Sequence, residues 1–196
     1  MSPRPQNIEL VFEKLYTVFS SQRFLNKEAL GGEIPFFIQP FLPEHQTQVD
    51  HLLPHLIKRL DTANIPVLEI NLYKHCIGLL EKQAVLQNAL ETEHELSKSE
   101  YMEALNGPLD VQKEVIPSIK KLMDSSDAKV VFLTGIGAIY PIIRSHTILN
   151  NLQALVKEIP LVMFFPGNYN NFSLNLFGRL KDDNYYRAFN LNEYTI

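Results

Sequence analysis

His51 and His55 stand four residues apart in a helical pattern, the spacing at which two imidazoles can share a metal ion. Asp50 is not at helical spacing to complete that set, and no third ligand is evident, so a surface pair accounts for them and no metal is expected. Thr134-Gly135-Ile136-Gly137-Ala138 carries a GxG at the end of an apolar run. A dinucleotide fingerprint needs a third glycine where Tyr140 stands, and Tyr140-Pro141 would crowd a pyrophosphate. Gln39-Pro40-Phe41-Leu42-Pro43 contains no glycine and no lysine, so it is no phosphate cradle, and no GxxxxGK[ST] motif occurs elsewhere. The run into Leu133-Thr134 ends without the carboxylate that would hold magnesium. There is no GxSxG elbow. Asp182-Asp183 is explained by a turn at Lys181 to Asn184, and the single cysteine, Cys76, by packing. No catalytic residue and no cofactor is expected.

Recognition chemistry has better candidates. Residues 164–189 hold eight of the chain's 20 aromatic side chains. Phe164 and Phe165 belong to an apolar run, but Tyr169 and Phe172 fall in the Gly/Asn-rich segment Pro166 to Phe172. Aromatic rings on an exposed loop are better suited to recognition than to burial. Tyr185, Tyr186 and Arg187 extend the same surface. Arg144 reads as a polar residue about two turns into the helix that follows the GxG. An internal salt bridge or cap explains it most simply; otherwise it pairs with an acidic group or a phosphate. The expected partner-binding set is therefore Tyr169, Phe172, Tyr185, Tyr186, Arg144 and Arg187.

The elements that must position these residues follow from apolar periodicity. Ile8, Val11, Phe12, Leu15, Val18 and Phe19 mark a first helix. Val49 to Leu60 marks a second, with Pro54 predicting a kink or a start nearby. Short apolar runs predict strands at 34–38, 66–72, 130–134 and 161–165, with a last extended stretch at 185–191. Residues 75–105 are helix-forming, Asn106-Gly107-Pro108 is a stop, and Asp110 caps another helix through Met123. One helix is expected from the GxG through Ile142, Ile148 and Leu155. Strands separated by helices predict a three-layer α/β domain over 1–196. Its open sheet has four or five mostly parallel strands, as in a degenerate P-loop-type fold without the phosphate loop.

Composition bounds the function. The 196 residues are 45% hydrophobic and 20% charged, an ordinary globular balance. The net charge is −4, and residues 81–103, within an expected acidic helical insertion at about 75–107, carry all of it. That argues against whole-surface attraction to nucleic acid or anionic lipid. A single cysteine and a start without a signal-like apolar run point to the cytoplasm, and no stretch approaches the ~18–20 apolar residues of a membrane span.

Phe132 to Leu152, reading FLTGIGAIYPIIRSHTILNNL, resembles the central block of the BrxB family. Pro166-Gly-Asn-Tyr169, Leu176-Phe-Gly178 and Asp182-Asp-Asn-Tyr-Tyr-Arg-Ala-Phe189 resemble its second block, and Pro35-Phe-Phe-Ile38 agrees further upstream. The resemblance implies a small component of a bacterial BREX (bacteriophage exclusion) system. It implies work beside a PglZ-like protein of alkaline-phosphatase fold, an adenine-specific DNA methyltransferase and a large ATPase. No catalytic residues carry over from the family. Together the readings predict a non-catalytic adaptor. The alternative is a degenerate nucleotide- or nucleic-acid-binding module using Lys120, Lys121, Lys129, Arg144, Arg179, Lys181 and Arg187 as a local basic patch.

Overall fold

The computed structural model describes residues 7–28, 34–153, 156, 159–182 and 187–195. α1 (Ile8–Ser20) starts at Asn7, whose side-chain oxygen accepts from the backbone N–H groups of Glu9 and Leu10, and it buries Ile8, Phe12, Leu15, Val18 and Phe19. The one-turn α2 (Gln22–Leu25) comes next, then β1 (Phe36–Phe41) and a 3-10 turn at Pro43–His45. α3 (Gln46–Thr62) runs unbroken through Pro54. The expected start near Pro54 is therefore wrong. Pro54 lies on the exposed side, so the carbonyl it leaves without an N–H partner, that of Asp50, belongs to an exposed residue.

β2 (Val67–Asn71) leads directly into α4 (Leu72–Lys82), α5 (Leu86–Thr92) and α6 (Lys98–Asn106). All six acidic residues between Glu81 and Glu103 are exposed, while Ala89 and Leu105 fasten the segment to the core. Asp110 does cap the next helical segment. Its side chain accepts from Gln112 N and Lys113 N at the start of a π-helical turn, Val111–Val115, which runs into α7 (Ile116–Asp124). β3 (Val130–Thr134) comes after it.

The single helix expected after the GxG is instead two, α8 (Ile136–Ile139) and α9 (Ser145–Gln153). Pro141 disfavours the helical region for the residue before it, and Tyr140 is extended at φ −66°, ψ 138°. Arg144 therefore does not lie inside a helix. It immediately precedes α9, and its carbonyl accepts the N–H of Thr147.

β4 (Leu161–Tyr169) runs four residues beyond the expected strand and pairs with β5 (Leu174–Leu176), which pairs with β6 (Leu180–Asp182). This antiparallel extension lies outside the expected strands. β7 (Phe189–Asn190) is the described part of the last extended stretch. The sheet order is β2-β3-β4-β1-β7, and every pair on that path is parallel. A 3-10 turn, not a glycine loop, follows β1, and the sheet alone establishes no kinship with P-loop proteins.

Strand alternation divides the apolar side chains between two layers. Phe37, Phe132, Val162 and Phe164 face α1, α2 and α3. Phe36, Ile38, Val131, Leu133, Met163 and Phe165 face α4, α7, α8 and α9. On the first face the Phe132 ring lies 5.2 Å from both Phe19 and Phe164. Full burial of each such ring contributes roughly 1.5–3 kcal/mol, so these rings dominate that layer. Among the described residues no helix is long and apolar enough to cross a membrane.

Buried Cys76 has its thiol pushed up to about 12 by desolvation, which keeps it protonated and unreactive. Its neighbour His75 is half-buried, with Nε2 2.6 Å from Ser118 Oγ. Ser118 donates its own proton to the Val115 carbonyl at 2.8 Å, so the His75 contact requires Nε2–H as donor, a requirement the neutral ring meets. Burial lowers the His75 pKa below its ordinary 6.5. The unfolded chain then takes up this proton before the native one. The resulting stability is present above pH 6.5 and is lost as pH falls through the lowered native value. Urea unfolding at about pH 7.5 and about pH 5 should show a smaller acid-induced loss in His75→Gln than in the unsubstituted chain.

Candidate functional site

In open parallel sheets the ligand crevice opens beyond the C-terminal strand ends, where successive connections leave for opposite faces. In this chain it lies between α3 on one face and α8 on the other. The cavity there measures about 370 Å³ and is floored by Phe164 and Pro166. Three of its polar side chains already hold protein partners. Thr134 Oγ1 donates to Glu69 at 3.0 Å, Asn71 Oδ1 accepts from the Lys74 backbone N–H at 3.1 Å, and Asp50 accepts from Gln46 at 2.8 Å.

The GxG glycines serve packing. Gly135 sits at φ +72°, and a Cβ there would lie 2.4 Å from Asn71 Oδ1. A Cβ on Gly137 would meet the Phe177 ring at 2.8 Å and Pro166 Cγ at 2.9 Å. The close approach that such glycines allow to a pyrophosphate elsewhere is taken up by protein. His51 and His55 are exposed on α3 with ring centroids 5.2 Å apart, and among the described residues no group of three or more His, Cys, Asp or Glu is placed to hold a metal.

Tyr169 departs from expectation. It is buried, 5% exposed, at the end of β4, because the strand continues through the segment read as a loop. Its hydroxyl donates to the Ala188 carbonyl at 2.9 Å, and its own carbonyl accepts from Asn190 Nδ2 at 2.9 Å. Tyr169 thus ties β4 to β7 and presents no exposed ring. Gly167 does not end the strand; a Cβ there would stand 2.1 Å from the Asn175 carbonyl oxygen, so the glycine lets β5 approach.

Phe172, by contrast, is 67% exposed at the β4–β5 turn. Asn170 Oδ1 accepts from Phe172 N and Ser173 N, at 3.1 and 2.8 Å, and shapes that turn. Arg144 and Arg187 are exposed. Tyr185 and Tyr186 lie outside the described residues.

The seven-residue basic patch does not assemble as a whole. Lys129 precedes β3 at the opposite end of the sheet and donates to the Asn64 carbonyl at 2.8 Å, and Lys120 pairs with Asp124 at the end of α7. Arg144, Arg179 and Lys181 do come together, around a second cavity between the start of α9 and the β5–β6 hairpin.

Phe177, counted among the aromatics of residues 164–189, is not among the expected site residues. It turns the hairpin at φ 56° beside Gly178 at φ 68°, and its ring meets Tyr140 edge-on with centroids 6.5 Å apart. The signal lay in Leu174-Asn-Leu176 and Leu180-Lys-Asp182, two short alternating runs around a glycine.

A family model described as "BREX protein BrxB" matches residues 68–191, more than half of the chain. The chain belongs to the BrxB family. A relative from Bacillus cereus (strain H3081.97), also described as BREX protein BrxB, is 38% identical over 172 residues, covering 86% of this chain and 88% of the relative. Another of the same description, from Escherichia coli O9:H4 (strain HS), is 28% identical over 184 residues, covering 94% and 91%. No solved structure matches the chain. The BrxB match takes in β2 through β7, and so the crevice glycines, Arg144 and the β4–β6 extension.

The crevice makes a direct prediction. Gly135→Ala should lower stability by about 1–2 kcal/mol through its left-handed backbone alone. Displacement of the Asn71 cap should add roughly 1 kcal/mol. Gly78→Ala in α4, where an added Cβ meets nothing within 4 Å, should be neutral or stabilising by up to about 1 kcal/mol. Urea denaturation of the two variants separates crevice packing from a general effect of losing glycine.

Proposed function

We propose that this BrxB-family chain is a non-catalytic adaptor of a BREX phage-defence complex. It holds a PglZ-like protein of alkaline-phosphatase fold and meets other BREX subunits, such as the methyltransferase and the large ATPase. The single observation that carries this reading is the state of the crevice. Its Thr134, Asn71 and Asp50 side chains already hold protein partners, and the space beside its glycines is filled by Asn71, Phe177 and Pro166. A rim of that kind is suited to protein contact.

The recognition surface is the β4–β5 turn and its surroundings. Phe172 supplies an apolar anchor on a turn whose shape Asn170 sets before any partner arrives, which limits the ordering cost of binding. Arg144 and Arg187 add charged contacts, and arginine and aromatic side chains are both enriched at binding hot spots. Tyr169 supports the turn from beneath through its bond to Ala188.

The test is calorimetric titration of the purified chain with the PglZ-like protein of its own BREX system. Phe172→Ala and Arg144→Ala should each weaken binding about tenfold or more, with far-UV dichroism unchanged. Native affinity in both folded variants would overturn this surface. Substrate turnover by the chain alone, lost on replacing a crevice side chain, would overturn the non-catalytic assignment.

A further inference from the structure

We infer that the cavity between the start of α9 and the β5–β6 hairpin is a binding site for the phosphate-bearing part of a nucleotide, free or within a nucleic-acid strand. The cavity measures about 410 Å³, within the ~300–1,000 Å³ of small-ligand sites. Its inner wall is apolar, from Phe165, Leu174 and Leu176. Its rim is cationic, with Arg144 from one side and Arg179 and Lys181 from the other. No described residue lining it carries a carboxylate.

This concentration of charge runs against the composition. The chain as a whole is at −4, so three cationic side chains around one cavity are not the local expression of a basic protein. The guanidinium groups of Arg144 and Arg179 make no hydrogen bond or ion pair among the described residues, so no described carboxylate offsets their mutual repulsion at the cavity. A dianionic phosphate neutralises that repulsion and offers the oxygens that a guanidinium fork grips. The apolar wall suits the sugar and base that a phosphate ester carries with it. A bare acidic side chain would leave that wall in water.

The arrangement also explains why β4 overruns the sheet. Only because it continues past Phe165 can β5 and β6 bring Arg179 and Lys181 opposite Arg144. The inference shares Arg144 with the adaptor reading but concerns the chain alone, and Arg179 and Lys181 lie outside the proposed partner contacts, so its test is independent of partner binding.

The test is fluorescence anisotropy with labelled single- and double-stranded DNA oligonucleotides, and calorimetry with ADP, at about 50 mM salt, where phosphate contacts are strong. Binding of oligonucleotide without ADP places the phosphate in a strand, and binding of ADP places it in a free nucleotide; either supports the site. Arg144→Ala with Arg179→Ala should then weaken binding at least about tenfold, since one charged hydrogen bond is worth roughly a tenfold change. A pair of Arg→Lys substitutions at the same positions keeps the charge and should bind more tightly than the alanine pair, which covers the case in which the latter misfolds. No binding of any probe overturns the inference, as does binding that neither pair of substitutions alters.

Discussion

The pairing of β4 is the constraint on which the other features depend. Its first six residues run beside β1 in parallel register from Phe36–Leu161 to Phe41–Pro166, and Val131 to Leu133 of β3 pair along its other edge. Side chains along it are buried on both faces, in one layer through Val162 and Phe164 and in the other through Leu161, Met163 and Phe165. A strand held on both edges and both faces has one register, since a slip by one residue would exchange the two layers. What is unusual is that it goes on. Past the sheet's end Gly167 admits the backbone of β5 and Tyr169 is drawn into the core, so the hairpin that flanks the candidate site is anchored to the most constrained strand of the fold.

That anchoring changes the meaning of several residues. The GxG after β3 looks like a worn phosphate motif, yet each glycine has a packing duty: Gly135 makes room for the Asn71 cap, and Gly137 for Phe177 and Pro166. The crevice that serves ligands in many parallel sheets is thus lined on one side by Phe177 of the hairpin that β4 carries. A second cavity lies beside that hairpin, lined by Arg144, Arg179 and Lys181. Partner binding at the turn and phosphate binding at the cavity would then share one support without sharing all of their side chains.

The layered parallel sheet was legible because it rests on local periodicity. Val130–Thr134 is a pure apolar run, and the stripe from Ile8 to Phe19 has one face, so composition and period agree. The site was less legible because it depends on where elements stop. Pro166-Gly167 reads as a terminator, but a proline within β4 and a glycine under another backbone are also compatible with a continuing strand, and only the tertiary pairing decides. Tyr169 reads as a loop residue for that reason. Arg144 reads as a helix-interior residue because the apolar spacing through Ile142, Ile143 and Ile148 persists across the break at Pro141. Arg179 and Lys181 were visible only as members of a patch. Their separation from Lys120 and Lys129 follows from the direction of the strands, which puts the C-terminal loops at one end of the sheet and the residues before β3 at the other.

The central claim is that this chain works through the edge built on the β4 extension, not through the acidic helices or the α1–α3 face. Hydrogen–deuterium exchange on the chain with and without the PglZ-like protein proposed to bind it measures that directly. The account predicts new protection in residues 140–146 and 170–182, with exchange in α5, α6, α1 and α3 unchanged. Protection confined to α5 and α6, or to the α1–α3 layer, would contradict it.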